Sequence, residues 1–244
     1  MKPIVSGRRR VGLARVLSKR GVCSRSQAAA MVRDGRVVVR GRVVRDPESP
    51  TLETEDAISI DGQPLAPPVA CWLMLNKPRG LLTTVCDERG RDTVYRCFEG
   101  AGLGWIAPVG RLDKASEGLL LFSNDPEWAA RITDPERGPD KTYHVQVAGI
   151  PGAAELRRMH EGIDDAGECL RVASASLLRR GDRNAWLEIV LDEGRNRQIR
   201  RLLTGLDFEV LRLVRVAVGP LRLGDLGKGE WRELAHDEAM SLFV

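Results

Sequence analysis

Three prolines within five residues set the first limit on how this chain folds. Pro64, Pro67 and Pro68 lie in the stretch from Gln63 to Ala70, and proline neither continues a helix nor donates to the ladder of a central strand. Residues 63–70 are therefore predicted to form a stiff linker, so that residues 1–62 and 71–244 must build separate cores. A chain of 244 residues is long enough for one small and one medium domain.

Charge divides at nearly the same place. Residues 1–45 hold thirteen Lys and Arg against the single acid Asp34, a net +12. Residues 46–61 hold Asp46, Glu48, Glu53, Glu55, Asp56 and Asp61 with no base, a net −6, and the remainder sums to −2. Arginine is abundant, with 32 copies against six lysines, yet abundance alone does not gather charge at one end. A basic segment on a nearly neutral body points to a polyanion such as nucleic acid.

Other classes are disfavoured. No apolar run approaches the length of a membrane span, and no apolar block precedes the first arginines as in a signal peptide. The five cysteines, Cys23, Cys71, Cys86, Cys97 and Cys169, are odd in number and never spaced C-x-x-C, which argues against a disulfide framework or zinc site and fits a reducing cytoplasm. Neither a phosphate-cradling G-x-x-x-x-G-K-[ST] loop nor a dinucleotide G-x-G-x-x-G fingerprint occurs. No cofactor is expected.

In the basic segment, Leu13, Val16 and Leu17 recur at helical spacing, with Arg15 and Lys19 four apart on another face. Gly21 ends this helix. Ser24 opens a second with Gln27 completing a capping box, Ala28, Met31 and Val32 forming its buried stripe, and Asp34-Gly35 stopping it. Val37 to Val44 reads as a hairpin about Arg40-Gly41, and Ala57 to Gly62 as a further strand. Arg15, Lys19, Arg25 and Arg33, joined by Arg36, Arg40 and Arg42 of the hairpin, make a basic surface that serves either RNA or only solvent. The order helix, G-V-x-S-R, helix, D-G-x-V-x-V-x-G-x-x-V, acidic stretch, D-x-I-x-I-D-G resembles the S4 RNA-binding domain over residues 11–62. Arg40 departs from it, because that family usually has Asn before the turn glycine.

After the linker, strand-like runs at Trp72 to Leu75, Gly118 to Phe122, Thr142 to Val147, Trp186 to Leu191 and Val210 to Val218 mix with helical patterns at Pro126 to Ile132, Ala153 to His160 and Asn196 to Leu206. The mixture lacks strict βαβ alternation. It implies an α+β domain with a mixed, mainly antiparallel sheet and flanking helices.

Three segments could carry chemistry. Asp113, in Gly110-Arg111-Leu112-Asp113, precedes the apolar run Leu119 to Phe122, a rigid element able to hold a carboxylate; alone, an Arg-x-Asp is as readily a surface pair. In Glu193 to Leu203, the residues Ile199, Leu202, Leu203 and Leu206 form a buried stripe with Arg200 on its flank. A half-buried arginine needs an anion, for which Asp113 is one candidate. Tyr143 shares a strand face with Val145 and Val147, so it is either a core aromatic or a platform for a nucleobase. His144, His160 and His236 are scattered, which disfavours a catalytic histidine or a metal set.

Asn76-Lys77-Pro78-Arg79-Gly80, then Pro108 to Asp113 with Ser116 to Leu120, then Lys141-Thr142-Tyr143, then Glu193 to Arg201, resemble in order and spacing the RsuA-like ribosomal RNA pseudouridine synthases, in which an S4 domain precedes a synthase domain. The resemblance implies a catalytic aspartate at Asp113, a tyrosine at Tyr143 that packs on the target base and an arginine at Arg200 that pairs with the aspartate. It also implies RNA contacts at Lys77, Arg111, Arg195 and Arg197, besides Arg15, Lys19, Arg25, Arg33 and Arg40. The expected protein is a cytoplasmic monomer acting on a ribosomal RNA stem-loop or assembling subunit, with the stretch from Asp140 to Pro151 closer to large-subunit members. Isomerising uridine to pseudouridine needs no redox partner. One ionised carboxylate serves, by adding to sugar or base or by removing a 2′ proton. Two other functions share parts of the pattern: a non-catalytic S4-type ribosomal RNA-binding or assembly protein, and an RNA glycosylase that releases free uracil.

Overall fold

The computed structural model describes residues 10–54, 57–65, 70–85 and 87–243. Lys2, Arg8, Arg9, Glu55, Asp56, Pro67, Pro68 and Cys86 lie outside the described residues. Two compact units emerge, one holding the described residues up to Cys71 with Gly102–Ala107 and Asn124–Pro126, the other holding Trp72–Ala101, Pro108–Ser123 and the chain from Glu127 onward. Two short loops of the later sequence thus group with the first unit instead of following a clean boundary at residue 71.

The first unit comprises β1 (Arg10–Gly12), α1 (Leu13–Lys19), α2 (Arg25–Arg33), β2 (Val37–Val39), β3 (Arg42–Val43), β4 (Pro50–Leu52), β5 (Ile58–Ile60) and β6 (Gln63–Pro64). Leu13, Val16 and Leu17 of α1 pack with Ala28 and Val32 of α2, Val37 and Ile58 into one apolar core. The Ser24 capping box forms: Ser24 Oγ accepts from the Gln27 amide at 3.3 Å and Gln27 Oε1 from the Ser24 amide at 3.0 Å. The β2–β3 turn places Arg40 at φ 51° and Gly41 at φ 75°, the left-handed pair that a type I′ hairpin demands. Arg40 thus takes the conformation that asparagine enters more easily.

One expectation needs correcting. Gln63 and Pro64 do not begin a linker but form β6, with Pro64 opposite Ser59 of β5. The strand order β3-β2-β5-β6 puts that proline on an edge, where its missing N–H breaks no ladder.

The second unit is built on a nine-stranded sheet. It contains β7 (Trp72–Lys77), β8 (Ala107–Val109), β9 (Glu117–Ser123), α3 (Pro126–Thr133), β10 (Lys141–Ala148), α4 (Ala153–Glu161), the small hairpin β11 (Ile163–Asp165) and β12 (Glu168–Leu170), β13 (Ser174–Arg180), β14 (Asn184–Leu191), α5 (Gln198–Gly205), β15 (Val210–Val218), β16 (Leu221–Arg222), β17 (Trp231–Glu233) and α6 (His236–Met240). The order along the sheet is β13-β14-β10-β15-β9-β7-β17, with β16 on β15 and β8 on β9. Along that seven-strand path neighbours are antiparallel except β15 and β9, which pair in parallel through Val214 opposite Glu117 and Arg215 opposite Gly118.

That parallel contact is where two cores meet. One gathers Val145, Leu187, Ile189, Leu213 and the stripe of α5. The other gathers Met74, Leu119, Leu121, Trp128 and Leu234. At the seam Gly118 has φ +101°, and a Cβ there would lie 2.2 Å from the Arg215 carbonyl oxygen. No side chain fits. Gly118→Ala is expected to destabilise the second unit by about 3 kcal/mol or more through backbone strain and overlap; urea unfolding within 1 kcal/mol of wild type would show that the seam can part.

Candidate active site

Asp113 sits in the turn between β8 and β9, and its loop is held by main-chain contacts. Leu112 is buried, and Thr83 Oγ1 donates to the Leu112 carbonyl at 2.7 Å while accepting from the Leu112 amide at 3.4 Å. The Gly80 amide donates to the Lys114 carbonyl at 2.8 Å. From beneath, Lys77 at the end of β7 donates through Nζ to the carbonyls of Pro78 at 3.1 Å, Asp113 at 3.2 Å and Ser116 at 2.9 Å. The carboxylate of Asp113 makes no ion pair among the described residues. Its backbone is fixed and its side chain is left open to react.

Lys77 is 0% exposed, so the expectation that it touches RNA is corrected. Its ammonium spends its three donors on carbonyls inside the fold and cannot reach a phosphate. Burial lowers its pKa from 10.5 to about 8, with Asp113 opposing the shift.

Helix α5 begins at Gln198, two residues later than the apolar period alone predicts, because Arg197 takes a left-handed conformation at φ 49°, ψ 32°. Gln198 is 2% exposed; its Nε2 donates to the Arg171 carbonyl at 2.8 Å and Glu193 Oε1 at 2.6 Å, and its Oε1 accepts from the Arg195 amide at 3.1 Å. These three bonds fasten the loop from residue 193 to residue 197. Sequence reasoning passed over both Gln198 and Thr83, since a buried polar side chain leaves no mark on hydrophobic periodicity.

The arginines of this region divide by commitment. Arg195 donates to Glu193 Oε2 at 2.8 Å, Glu168 Oε1 at 3.1 Å and the Cys169 carbonyl at 2.9 Å, tying its loop to β12. That leaves it little freedom to serve as the RNA contact expected of it. Arg201 is paired with Asp165 at 2.5 Å and Glu168 at 2.7 Å. Arg111 and Arg197 are exposed.

Arg200 is half-buried on the flank of the stripe. Its Nη2 donates to the Ala115 carbonyl at 3.3 Å, and its buried Nε has no partner. Burial lowers its pKa and the nearby charge of Asp113 pushes the other way, but the two side chains form no direct ion pair within 4 Å. The expected Arg200–Asp113 pair is replaced by proximity without contact. Tyr143, on β10, is half-buried against the core and lies opposite Ile189 and Arg215 in the sheet. His144 faces the other way, 3.4 Å from Glu188.

Asp113, Tyr143, Arg200, Arg111 and Arg197 line one cavity of about 510 Å³. A second opening of about 680 Å³ shares Arg111, Asp113 and Arg197 with it and extends toward Thr83, Arg89 and Arg91. The first volume suits a compact ligand such as a single flipped nucleotide. In the first unit, Arg15, Arg33 and Arg40 are exposed. Lys19 is paired with Glu53 at 2.9 Å and Arg25 with Glu48 at 3.2 Å.

Comparison with known proteins agrees over nearly the whole chain. A family model described as RNA pseudouridylate synthase matches residues 72–204, and an S4 domain model matches residues 11–56. An uncharacterized RNA pseudouridine synthase of Aquifex aeolicus is 36% identical over 96% of this chain and 94% of its own. The ribosomal large subunit pseudouridine synthase B of Bacillus subtilis is 34% identical over 94% of each. A crystal structure of a pseudouridylate synthase superposes with a TM-score of 0.66 at 29% identity, covering 95% of this chain and 99% of that one.

The buried ammonium yields a pH-dependent stability. With a native pKa of about 8 against an ordinary 10.5, the folded state releases the Lys77 proton first, so the unfolded state binds more protons between those values and stability rises with pH there. Relative to Lys77→Met, which does not titrate, the wild-type chain is expected to gain up to about 3 kcal/mol in urea unfolding over that interval. A difference that stays flat or falls with pH would contradict a buried, charged Lys77.

Proposed function

The chain belongs to the family of RNA pseudouridylate synthases, with an S4 domain ahead of the synthase domain, and we propose that it isomerises a uridine of ribosomal RNA, specifically of the large subunit. The large-subunit assignment is supported by the Bacillus subtilis relative. The observation that carries the catalytic reading is that Asp113, Tyr143 and Arg200, from three separate stretches of sequence, line one cavity.

Each residue answers a need of the reaction. The bond between ribose C1′ and uracil N1 must break, and Asp113 offers a carboxylate whose oxygens are unencumbered while its main chain is pinned. Arg200 sets a positive charge near that carboxylate without pairing with it, its Nη2 being held by the Ala115 carbonyl. The detached uracil must turn before it rejoins through C5, and the face of Tyr143 gives it a surface that stacks without locking its direction. Since the target atoms are hidden in stacked RNA, the nucleotide enters flipped out, most cheaply from a loop or bulge. Arg111 and Arg197 at the mouth receive the flanking phosphates.

The S4 unit supplies the anchor. Arg15 and Arg33 stand exposed on α1 and α2, and Arg42 is exposed on the hairpin.

Asp113→Asn is expected to lower isomerisation by at least about 10³-fold while leaving RNA affinity unchanged. The assay is tritium release from ribosomal RNA carrying 5-tritiated uridine. Tritium released normally by the variant would remove Asp113 from the chemistry; free uracil released by the wild type would make the protein a glycosylase, and no release despite tight binding would leave a binding protein. For the anchor, the double variant Arg15→Ala, Arg33→Ala should reduce the slope of log affinity against log salt by roughly 2. An unchanged slope would place the RNA elsewhere.

A further inference from the structure

The cavity holds more positive charge than the roles above use. Lys141 precedes Tyr143 by two residues on β10, so the two side chains project from the same face about 7 Å apart. Arg215 lies directly opposite Tyr143 on β15, and both Lys141 and Arg215 line the same cavity as Asp113. Arg215 is 7% exposed, with Nε donating to the Leu119 carbonyl at 2.7 Å, which fixes its guanidinium. Lys141 is half-buried, and its Nζ makes no hydrogen bond or ion pair among the described residues. Burial, and then the neighbouring Arg215, lower its proton affinity below that of an ordinary lysine, with Asp140 and Asp192 opposing. A cation kept out of water with no anion in contact is costly unless a ligand supplies the negative charge.

The reaction supplies one. When the C1′–N1 bond breaks, both bonding electrons stay with N1, and the uracil becomes an anion whose charge spreads over N1, O2 and O4. Ribose, left short of two electrons at C1′, is satisfied by the Asp113 carboxylate adding at C1′ or by loss of the 2′ proton. The uracil turns, C5 bonds to C1′ as the Asp113–C1′ bond breaks or, in the other case, as a proton returns to C2′, the proton on C5 departs and N1 takes one up, so the product has the composition of the substrate. From cleavage to rejoining the base is negatively charged and removed from water, the situation in which a nearby fixed charge contributes most to rate.

We propose that Lys141 is a further catalytic residue, the cation that meets the detached uracil anion over the face of Tyr143, with Arg215 as a positioning residue that fixes the field behind it. The flexible four-carbon stem of lysine lets its ammonium follow the oxygens as the ring turns, which a fork already bound to a carbonyl does not do. Asp113 opens the bond and Lys141 stabilises what leaves. The inference rests on the isomerase reading with Asp113 as the carboxylate.

The test varies the leaving group. Full-length wild type, Lys141→Met and Lys141→Arg are given a ribosomal RNA fragment with either uridine or 5-fluorouridine at the target position. Loss of the original nucleoside is followed chromatographically under single turnover, and RNA affinity is measured separately. Fluorine makes uracil a more stable anion, so it needs less help to leave. Lys141→Met is expected to slow uridine cleavage about 10²–10³-fold, with RNA affinity within twofold of wild type and a deficit at least tenfold smaller on 5-fluorouridine; Lys141→Arg recovers part of the uridine rate. An equal deficit on both substrates overturns the proposal, as does full activity. A loss confined to affinity also overturns it, making Lys141 a phosphate contact. If Lys141→Met does not fold, the same leaving-group comparison with Lys141→Arg decides the matter. Wild type that binds RNA but cleaves neither nucleoside refutes the isomerase reading itself, a different result from any of these.

Discussion

The catalytic unit depends on one close approach of backbone to backbone. Where β9 meets β15 in parallel, Gly118 lies against the Arg215 carbonyl with no room for a methyl group, and across that seam the two apolar cores are joined. Asp113 hangs from one side of it, on the turn leading into β9; Tyr143, Lys141 and Arg200 hang from the other, on β10 and α5. The separation between the Asp113 turn and Tyr143 therefore follows from the pairing of β9, β15 and β10 in the sheet. A bulkier residue at position 118 would move the two halves of the site apart even though it touches no substrate.

On each side of the seam, buried polar side chains hold main chain so that charged side chains remain free. Lys77 gathers three carbonyls beneath the Asp113 turn, Thr83 clamps Leu112, and Gln198 laces the loop ahead of α5. None of these needs to meet RNA. They fix the main chain at the Asp113 turn and ahead of α5, and fixed dipoles contribute more to electrostatic stabilisation than ones that must first reorganise. Satisfaction is incomplete at the Nε of Arg200, a residue that lines the same cavity as Asp113.

What could be read from the sequence follows from what leaves a periodic trace. The two helices and hairpin of the first unit, the alternation of β10 and the stripe Ile199, Leu202, Leu203 and Leu206 each bury one face, so the pattern and the fold agree. β13 leaves no such trace, because Ser174–Arg180 is an edge strand with little burial on either face, which erases alternation. Lys77 reads as a surface cation because a sequence records charge and not depth. Pro64 reads as a breaker because its position on an edge is known only once β5 and β6 pair. The convergence of Asp113, Tyr143 and Arg200 rested on resemblance, since their nearness follows from pairings between strands far apart in sequence.

The acidic stretch of the first unit has a further meaning. Glu48, Glu53 and Asp61 each hold a base of the anchoring module, Arg25, Lys19 and Arg36. The module thus carries its own competitor for RNA. A polyanion offering nothing beyond evenly spaced charge merely exchanges carboxylates for phosphates at these positions, with few counterions set free. At Arg15, Arg33 and Arg42, which are exposed and make no ion pair among the described residues, no acid has to be displaced first.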